Sequence, residues 1–256
     1  MDLGMAGRAA VVTGGSKGIG RAVVAALVAE GVRVTAGARS FASPPAESVR
    51  TVQVDLGTPD GPARLIEDAI GAYGQLDLLV NNVGAAHPRT GGFLSITDDD
   101  WFSTLTLDLL AAVRATRAAL PHLLRSRGSI VTIASVNAVL PDPLVMDYSA
   151  AKAALASFCK SLSKEVGPQG VRVNTVSPGP VATDLWLGAD GVAATVGSAA
   201  GLDPEAVAKQ AAGGSVTGRF TTPDEVAALV VMVASDRAGN VTGADFVIDG
   251  GLVSTR

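Results

Sequence analysis

The chain has 256 residues, of which 48% are apolar and 17% charged, and a formal net charge of −4. That length and composition suit one sizeable core without a disordered signature, so a single domain over residues 1–256 is expected. The 20 basic residues are scattered, which argues against nucleic acid as a partner, and no apolar run reaches the ~18 residues of a membrane span.

Residues 1–8 run straight into a strand with neither the basic nor the apolar stretch of a secretory leader, so a cytoplasmic protein is expected. Strand Ala9–Thr13 leads into a glycine-rich turn, Thr13-Gly14-Gly15-Ser16-Lys17-Gly18-Ile19-Gly20, and a helix over Ile19–Glu30 stopped by Gly31. Strands follow at Arg33–Ala38 and Thr51–Asp55. Only eleven residues separate Arg39 from Thr51, and Pro44 and Pro45 are among them. A parallel crossover usually takes a dozen or more, so at most one helical turn fits and that sheet edge stays open.

Farther on, apolar residues at three- and four-residue intervals predict helices over Gly61–Tyr73, Trp101–Arg125, Tyr148–Gly167 and Pro223–Ser235. Gly74 and Gly167 read as stops, and Thr222-Pro223 as a start. The intervening β-branched runs are Leu78–Asn82, Ser129–Ala134, Val171–Val176 and Ala244–Ile248. Seven strands alternating with helices, several without inside-outside alternation, predict an α/β fold with a doubly wound, Rossmann-like parallel sheet covered on both faces. Residues 185–220 look irregular, weakly helical only at Pro204–Ala212, and too long for a connector; they read as a mobile flap over a site.

Three residues carry chemistry. Tyr148 and Lys152 lie four apart on one predicted helix, so the ammonium can stabilise the phenolate and draw an acid of pKa about 10 toward working range. Ser135, at the end of a strand, could hydrogen-bond a substrate oxygen. This is equipment for moving a proton while a cofactor moves a hydride. Backbone N–H groups at Gly14, Gly18 and Gly20 could face a pyrophosphate, although a turn of this kind also occurs without any ligand. The single cysteine, Cys159, cannot form an internal disulfide and reads as packing. His87 and His122 stand at no ligand spacing, and no metal site is expected; His87, Pro88 and Arg89 could rim a substrate pocket.

With these residues in view, the chain resembles the short-chain dehydrogenase/reductase family from about Arg8 to Gly251. The turn over residues 13–20, Asp55-Leu56, Asn81-Asn82-Val83-Gly84, Ser135, Tyr148-x3-Lys152, Pro178-Gly179 with Thr183, and Asp249-Gly250-Gly251 occur in the family's order. The resemblance implies that Tyr148 is the general acid and base, that Lys152 holds the nicotinamide ribose and lowers the phenol's pKa, and that Ser135 binds the reacting oxygen. It also implies a dinucleotide held by Gly14, Ser16, Lys17, Gly18, Ile19, Gly20, Arg39, Asp55, Leu56, Asn82, Gly84, Tyr148, Lys152, Pro178, Gly179, Val181 and Thr183.

Asp108 departs from the pattern: the family usually has an asparagine there that orders a water leading from the lysine, and the acid is expected to keep that relay. Where a carboxylate would bind a ribose 2′-hydroxyl the chain has Ala38 followed by Arg39, and Lys17 adds a second cation, which favours NADP(H) with NAD(H) as the alternative. The expected activity is hydride transfer between NADP(H) and a carbonyl or secondary alcohol of a hydrophobic substrate, such as a 3-oxoacyl thioester. Trp186, Leu187, Leu140, Val145 and Met146 are expected to line its pocket. An NAD-dependent alcohol dehydrogenase and a non-catalytic nicotinamide-binding regulator are the alternatives. The family is commonly tetrameric, and Ala111, Ala112, Ala115, Ala118, Ala151 and Ala154 on the two long helices would permit close approach between subunits.

Overall fold

A computed structural model describes residues 2–43 and 48–254. Its centre is a seven-stranded sheet in the order β3-β2-β1-β4-β5-β6-β7, every neighbouring pair parallel. The strands are β1 Ala9–Thr13, β2 Arg33–Ala38, β3 Arg50–Gln53, β4 Leu78–Asn81, β5 Ser129–Ile133, β6 Arg172–Pro178 and β7 Asp245–Ile248. Every residue of β1, β4 and β5 is buried, which explains their missing polar alternation. Successive residues serve two separate cores: Ala10, Val12, Leu78, Val80 and Val131 face one, and Val11, Leu79, Ile130 and Val173 face the other.

Helices α1 (Gly18–Ala29) and α9 (Pro223–Ala234) pack together over the first core. The second is covered by α2 (Gly61–Tyr73), α4 (Ala111–Ser126) and α5 (Met146–Val166). Start signals are realised as capping boxes: Thr222 with Glu225 opens α9, and Thr97 with Asp100 opens α3 (Asp98–Leu105). Gly74 ends α2 with φ +71 and Gly31 follows α1 with φ +75. α5 ends at Val166 with Gly167 as its C-cap; a 3-10 turn, Gly167–Gln169, then leads to Gly170 at φ +88.

Three expectations change. The helix expected over Trp101–Arg125 is composite: α3 and α4 are joined by a π-helical turn, Thr106–Leu110, that carries one residue more than an α turn. The 185–220 segment is more regular than its composition suggests, holding α6 (Asp184–Leu187), α7 (Val192–Ala200) and α8 (Pro204–Gly213). Asp203 caps α8 through the Glu205 amide, with Pro204 in its first turn. Finally, Ala111, Ala112, Ala115 and Ala151 are buried by the chain itself, so they offer little to a second subunit; Ala154 remains exposed.

In the short connection between β2 and β3, residues 44–47, including Pro44 and Pro45, lie outside the described residues. The edge strand β3 is mostly exposed. Among the described residues no helix is long and apolar enough to cross a membrane.

Candidate active site

Strand order reverses between β1 and β4, where the connections from their carboxyl ends leave in opposite directions and open a crevice. The glycine turn forms its floor. Gly14 has φ +70 and Gly18 φ +53. A Cβ on Gly20 would come within 2.2 Å of the Gly14 carbonyl and 2.4 Å of Asn82 Nδ2. Asn82 laces the turn to β4, its Nδ2 donating to the carbonyls of Thr13 at 2.9 Å and Gly14 at 3.1 Å. Thr13 Oγ1 in turn accepts from the Asn82 and Val83 amides. No side chain caps the first turn of α1, so its N–H groups are left without a side-chain acceptor. Thr183 lies over Gly18, where an added Cβ would sit 3.3 Å from Thr183 Cγ2.

At the β2 side, Arg39, Asp55, Gly57, Phe102, Ser103, Thr106 and Leu107 line a cleft of about 330 Å³. Asp55 Oδ1 accepts from the Gly57 amide, which fixes the turn after β3. Leu56 does not share this wall: it is buried in the second core, so only the acid of the Asp55-Leu56 pair faces the cleft. Arg39 and Lys17 are both exposed.

On the other side, the end of β5 and the first two turns of α5 bring Ser135, Tyr148 and Lys152 together. Ser135 Oγ accepts from the Asn137 amide at 3.1 Å, opening a short 3-10 turn, its hydroxyl donates to Asn137 Oδ1 at 3.1 Å, and it lies close enough to Tyr148 to favour the phenolate. Lys152 is almost fully buried; its Nζ donates to the Ile133 carbonyl at 3.2 Å and lies 5.4 Å from the Tyr148 ring centre.

Asp108 Oδ1, from the π turn, stands 3.5 Å from that ammonium. The Ala85 amide donates to both oxygens of the carboxylate. Gly84 makes room for the pair, since a Cβ there would lie 2.5 Å from Asp108 Oδ1 and 3.3 Å from Lys152 Nζ. Burial pushes the Asp108 carboxyl up to about 6, against the pull of Lys152 and of the Ala85 N–H. The Tyr148 phenol behaves differently from the sequence expectation. Burial raises it and Asp108 adds to the rise, which outweighs the lowering by Lys152 and Ser135, so without cofactor it sits above its ordinary value.

The chain matches, over residues 14–253, the family model described as enoyl-(acyl carrier protein) reductase. It is 34% identical, over 97% of its length and 90% of the relative's, to the 3-alpha-(or 20-beta)-hydroxysteroid dehydrogenase of Mycobacterium tuberculosis (strain ATCC 25618 / H37Rv). It is 31% identical, over 96% of its length and 97% of the relative's, to the 3-oxoacyl-acyl-carrier-protein reductase of Salmonella typhimurium. Its fold superposes with a TM-score of 0.92, at 32% identity and full coverage of both chains, on the L-sorbose reductase of Gluconobacter frateurii complexed with NADPH and L-sorbose.

The chain belongs to the short-chain dehydrogenase/reductase family. Its members are NAD(P)(H)-dependent oxidoreductases, and this short-chain dehydrogenase/reductase is one.

The crevice fits that cofactor on its own terms. Gly14 and Gly20 let the turn close tightly on itself and on Asn82, where a Cβ would clash, no side chain caps the start of α1, and a cation and a carboxylate line the cleft beyond. The loop after β6 is held at both ends. Gly179 N donates to Ile248 O at 3.0 Å, and Val181 bridges Thr221 after Pro178 closes β6.

One cluster had no signal strong enough to assign it from sequence. Arg89, expected to rim a pocket, turns inward. Its Nε and Nη2 donate to Asp147 Oδ2 at 3.1 and 2.5 Å, and Nη1 pairs with Asp100 at 2.7 Å. Its amide donates to the Leu144 carbonyl. Thr104 Oγ1 donates to the same Asp147 oxygen at 2.8 Å. The β4–α3 connection, α3 and the residue before Tyr148 are thereby tied into one unit. His87 stays exposed, and His122 pairs with Arg125 away from this crevice.

Proposed function

We propose that this short-chain dehydrogenase/reductase is an NADP(H)-dependent reductase of hydrophobic ketones, with a 3-oxoacyl thioester the favoured substrate class. The observation that carries the reading is the convergence of Ser135, Tyr148 and Lys152 at the carboxyl end of β5. Ser135 holds the carbonyl oxygen and Tyr148 gives that oxygen its phenolic proton, while Lys152 stabilises the phenolate left behind. When bound, NADP(H) supplies the hydride that adds to the carbonyl carbon, or takes it back in the oxidative direction.

In this reading Gly14, Ser16, Gly18, Ile19 and Gly20 cradle the pyrophosphate. Asp55 and the backbone around Leu56 border the adenine, and Arg39 with Lys17 receives the 2′-phosphate. Asn82, Gly84, Pro178, Gly179, Val181 and Thr183 frame the nicotinamide end, where Lys152 also reaches its ribose. Asp108 is a positioning residue acting through Lys152.

The substrate class is supported by exposed Leu140, Leu144 and Leu187 and by Trp186, which packs edge-on against Phe220 at 5.3 Å. The α6–α8 segment is the flap that would close over such a substrate. Exposed Phe102 and Leu110, with Ala154, support a homo-oligomer, a tetramer favoured. A cytoplasmic location fits NADPH-driven reduction.

The test is a titration of purified protein with NADPH and NADH, followed by turnover on a panel of 3-oxoacyl thioesters, steroid ketones, ketoses and secondary alcohols. Tyr148→Phe should bind NADPH as before and lose turnover. Arg39→Asp should weaken NADPH and spare NADH. Turnover retained in Tyr148→Phe would end the assignment, and equal efficiency with both cofactors would end the NADP(H) preference.

A further inference from the structure

We infer that Asp108 is a charge-balancing residue: held beside Lys152, its carboxylate offsets the ammonium's pull on Tyr148 and keeps the phenol protonated, which sets the site for proton donation and therefore for carbonyl reduction. The inference rests on Tyr148 being the proton-transfer residue and adds a direction to it.

The geometry is specific. The carboxylate lies 3.5 Å from Lys152 Nζ, the same nitrogen that stands 5.4 Å from the centre of the Tyr148 ring, so acid and phenol share one ammonium. Both charged side chains are almost fully buried, where their fields act with little screening by water. The carboxylate is not loosely placed. Two N–H···O contacts from the Ala85 amide fix it, and Gly84 is empty of side chain where the pair sits. The π turn supplies the reach, since it carries Asp108 out of α-helical register.

The charged and titratable groups facing Asp108 are Lys152 and Tyr148 and, farther off, Asp147, all on α5, the last neutralised by Arg89 from the β4–α3 connection. Asp108 raises the phenol as Lys152 lowers it. An uncharged amide at position 108 would leave burial alone to oppose the lysine's pull.

The consequence is chemical. In reduction the phenolic O–H bond breaks and its proton goes to the carbonyl oxygen, while the carbonyl carbon takes a hydride from NADPH. In oxidation the phenolate must first exist to accept the alcohol's proton. A site that holds the phenol protonated to high pH gives reduction a wide working range and confines oxidation to alkaline conditions.

The experiment titrates the phenol in cofactor-free protein by ultraviolet tyrosinate absorbance, with Tyr148→Phe as the blank that removes Tyr73. Wild type should show a midpoint above the ordinary value. Asp108→Asn should move it down by about one unit, a tenfold change in the phenol-to-phenolate ratio. In turnover, the alkaline rise of alcohol oxidation should move toward acid by the same amount. Asp108→Ser serves as the second variant if the asparagine variant does not fold, with circular dichroism confirming the fold.

A midpoint unchanged or raised in the folded variant overturns the inference. That failure is distinct from failure of the catalytic reading: a flat titration with an inactive Tyr148→Phe removes only the role of Asp108, whereas an active Tyr148→Phe removes the reading beneath it.

Discussion

Replacing Arg89 by leucine should destabilise the protein by about 3–5 kcal/mol, because it strands a buried carboxylate. The Asp147 side chain is 2% exposed, and Arg89 holds it with two N–H groups while Thr104 supplies a third donor. Burial alone pushes this carboxyl up, but the hydrogen bonds from Arg89 and Thr104, with the guanidinium charge, bring it below the usual carboxylate range. The second bridge, to the 34% exposed Asp100, adds little because water screens it.

For a chain of this length a loss of 1 kcal/mol lowers Tm by about 2 °C, so a fall of ~6–10 °C is expected at neutral pH by scanning calorimetry. The pH dependence has a defined sign. In wild type the depressed carboxyl contributes stability above the unfolded value of about 3.9, and that contribution is lost as pH falls through the folded pKa. In Arg89→Leu burial acts on Asp147 with less opposition, the acid can protonate at higher pH, and the deficit should shrink on acidification. Adding Asp147→Asn should recover most of the lost stability, because the stranded charge is gone. A Tm within 2 °C of wild type, or a double variant no better than the single, would refute the argument that this is a buried charge pair.

Two further outcomes follow from packing. Gly20→Ala places a Cβ 2.2 Å from the Gly14 carbonyl, so the turn must shift; a loss of about 1–3 kcal/mol and weaker NADPH binding are expected, read by thermal denaturation and calorimetric titration. Unchanged values for both would mean that the turn has slack. Cys159 is buried and its thiol is pushed up to about 11, chiefly by burial, so at pH 8 only about one molecule in a thousand carries the thiolate. Iodoacetamide labelling followed by mass spectrometry should be negligible until denaturant is added; rapid native labelling would contradict the packing.

The sheet was legible in the sequence because its strands are buried on both faces, which imposes the uninterrupted apolar runs of Val11-Val12 and Ile130-Val131. The Tyr148–Lys152 pair and the glycine turn were legible because each is local, set by helical or turn spacing. What escaped is tertiary. Nothing near Arg89 in sequence announces a partner 58 residues away. The sign of the Tyr148 displacement depends on burial and on Asp108, neither of which spacing encodes. The π turn left the apolar period of the surrounding helix intact, so it read as continuous α. Leu56 reads as an adenine neighbour by its place after Asp55, yet core packing against the second layer claims its side chain.

The widened turn at Thr106–Leu110 also makes one rod answer to two masters. Phe102, Ser103, Thr106 and Leu107 wall the cleft that holds Arg39, and the very next residue, Asp108, touches the ammonium at the opposite end of the crevice. Losing or gaining a residue there would rotate the downstream frame by about 100° and disturb both ends at once. In the proposed reading, cofactor choice and proton chemistry are therefore mechanically geared together through this one helix.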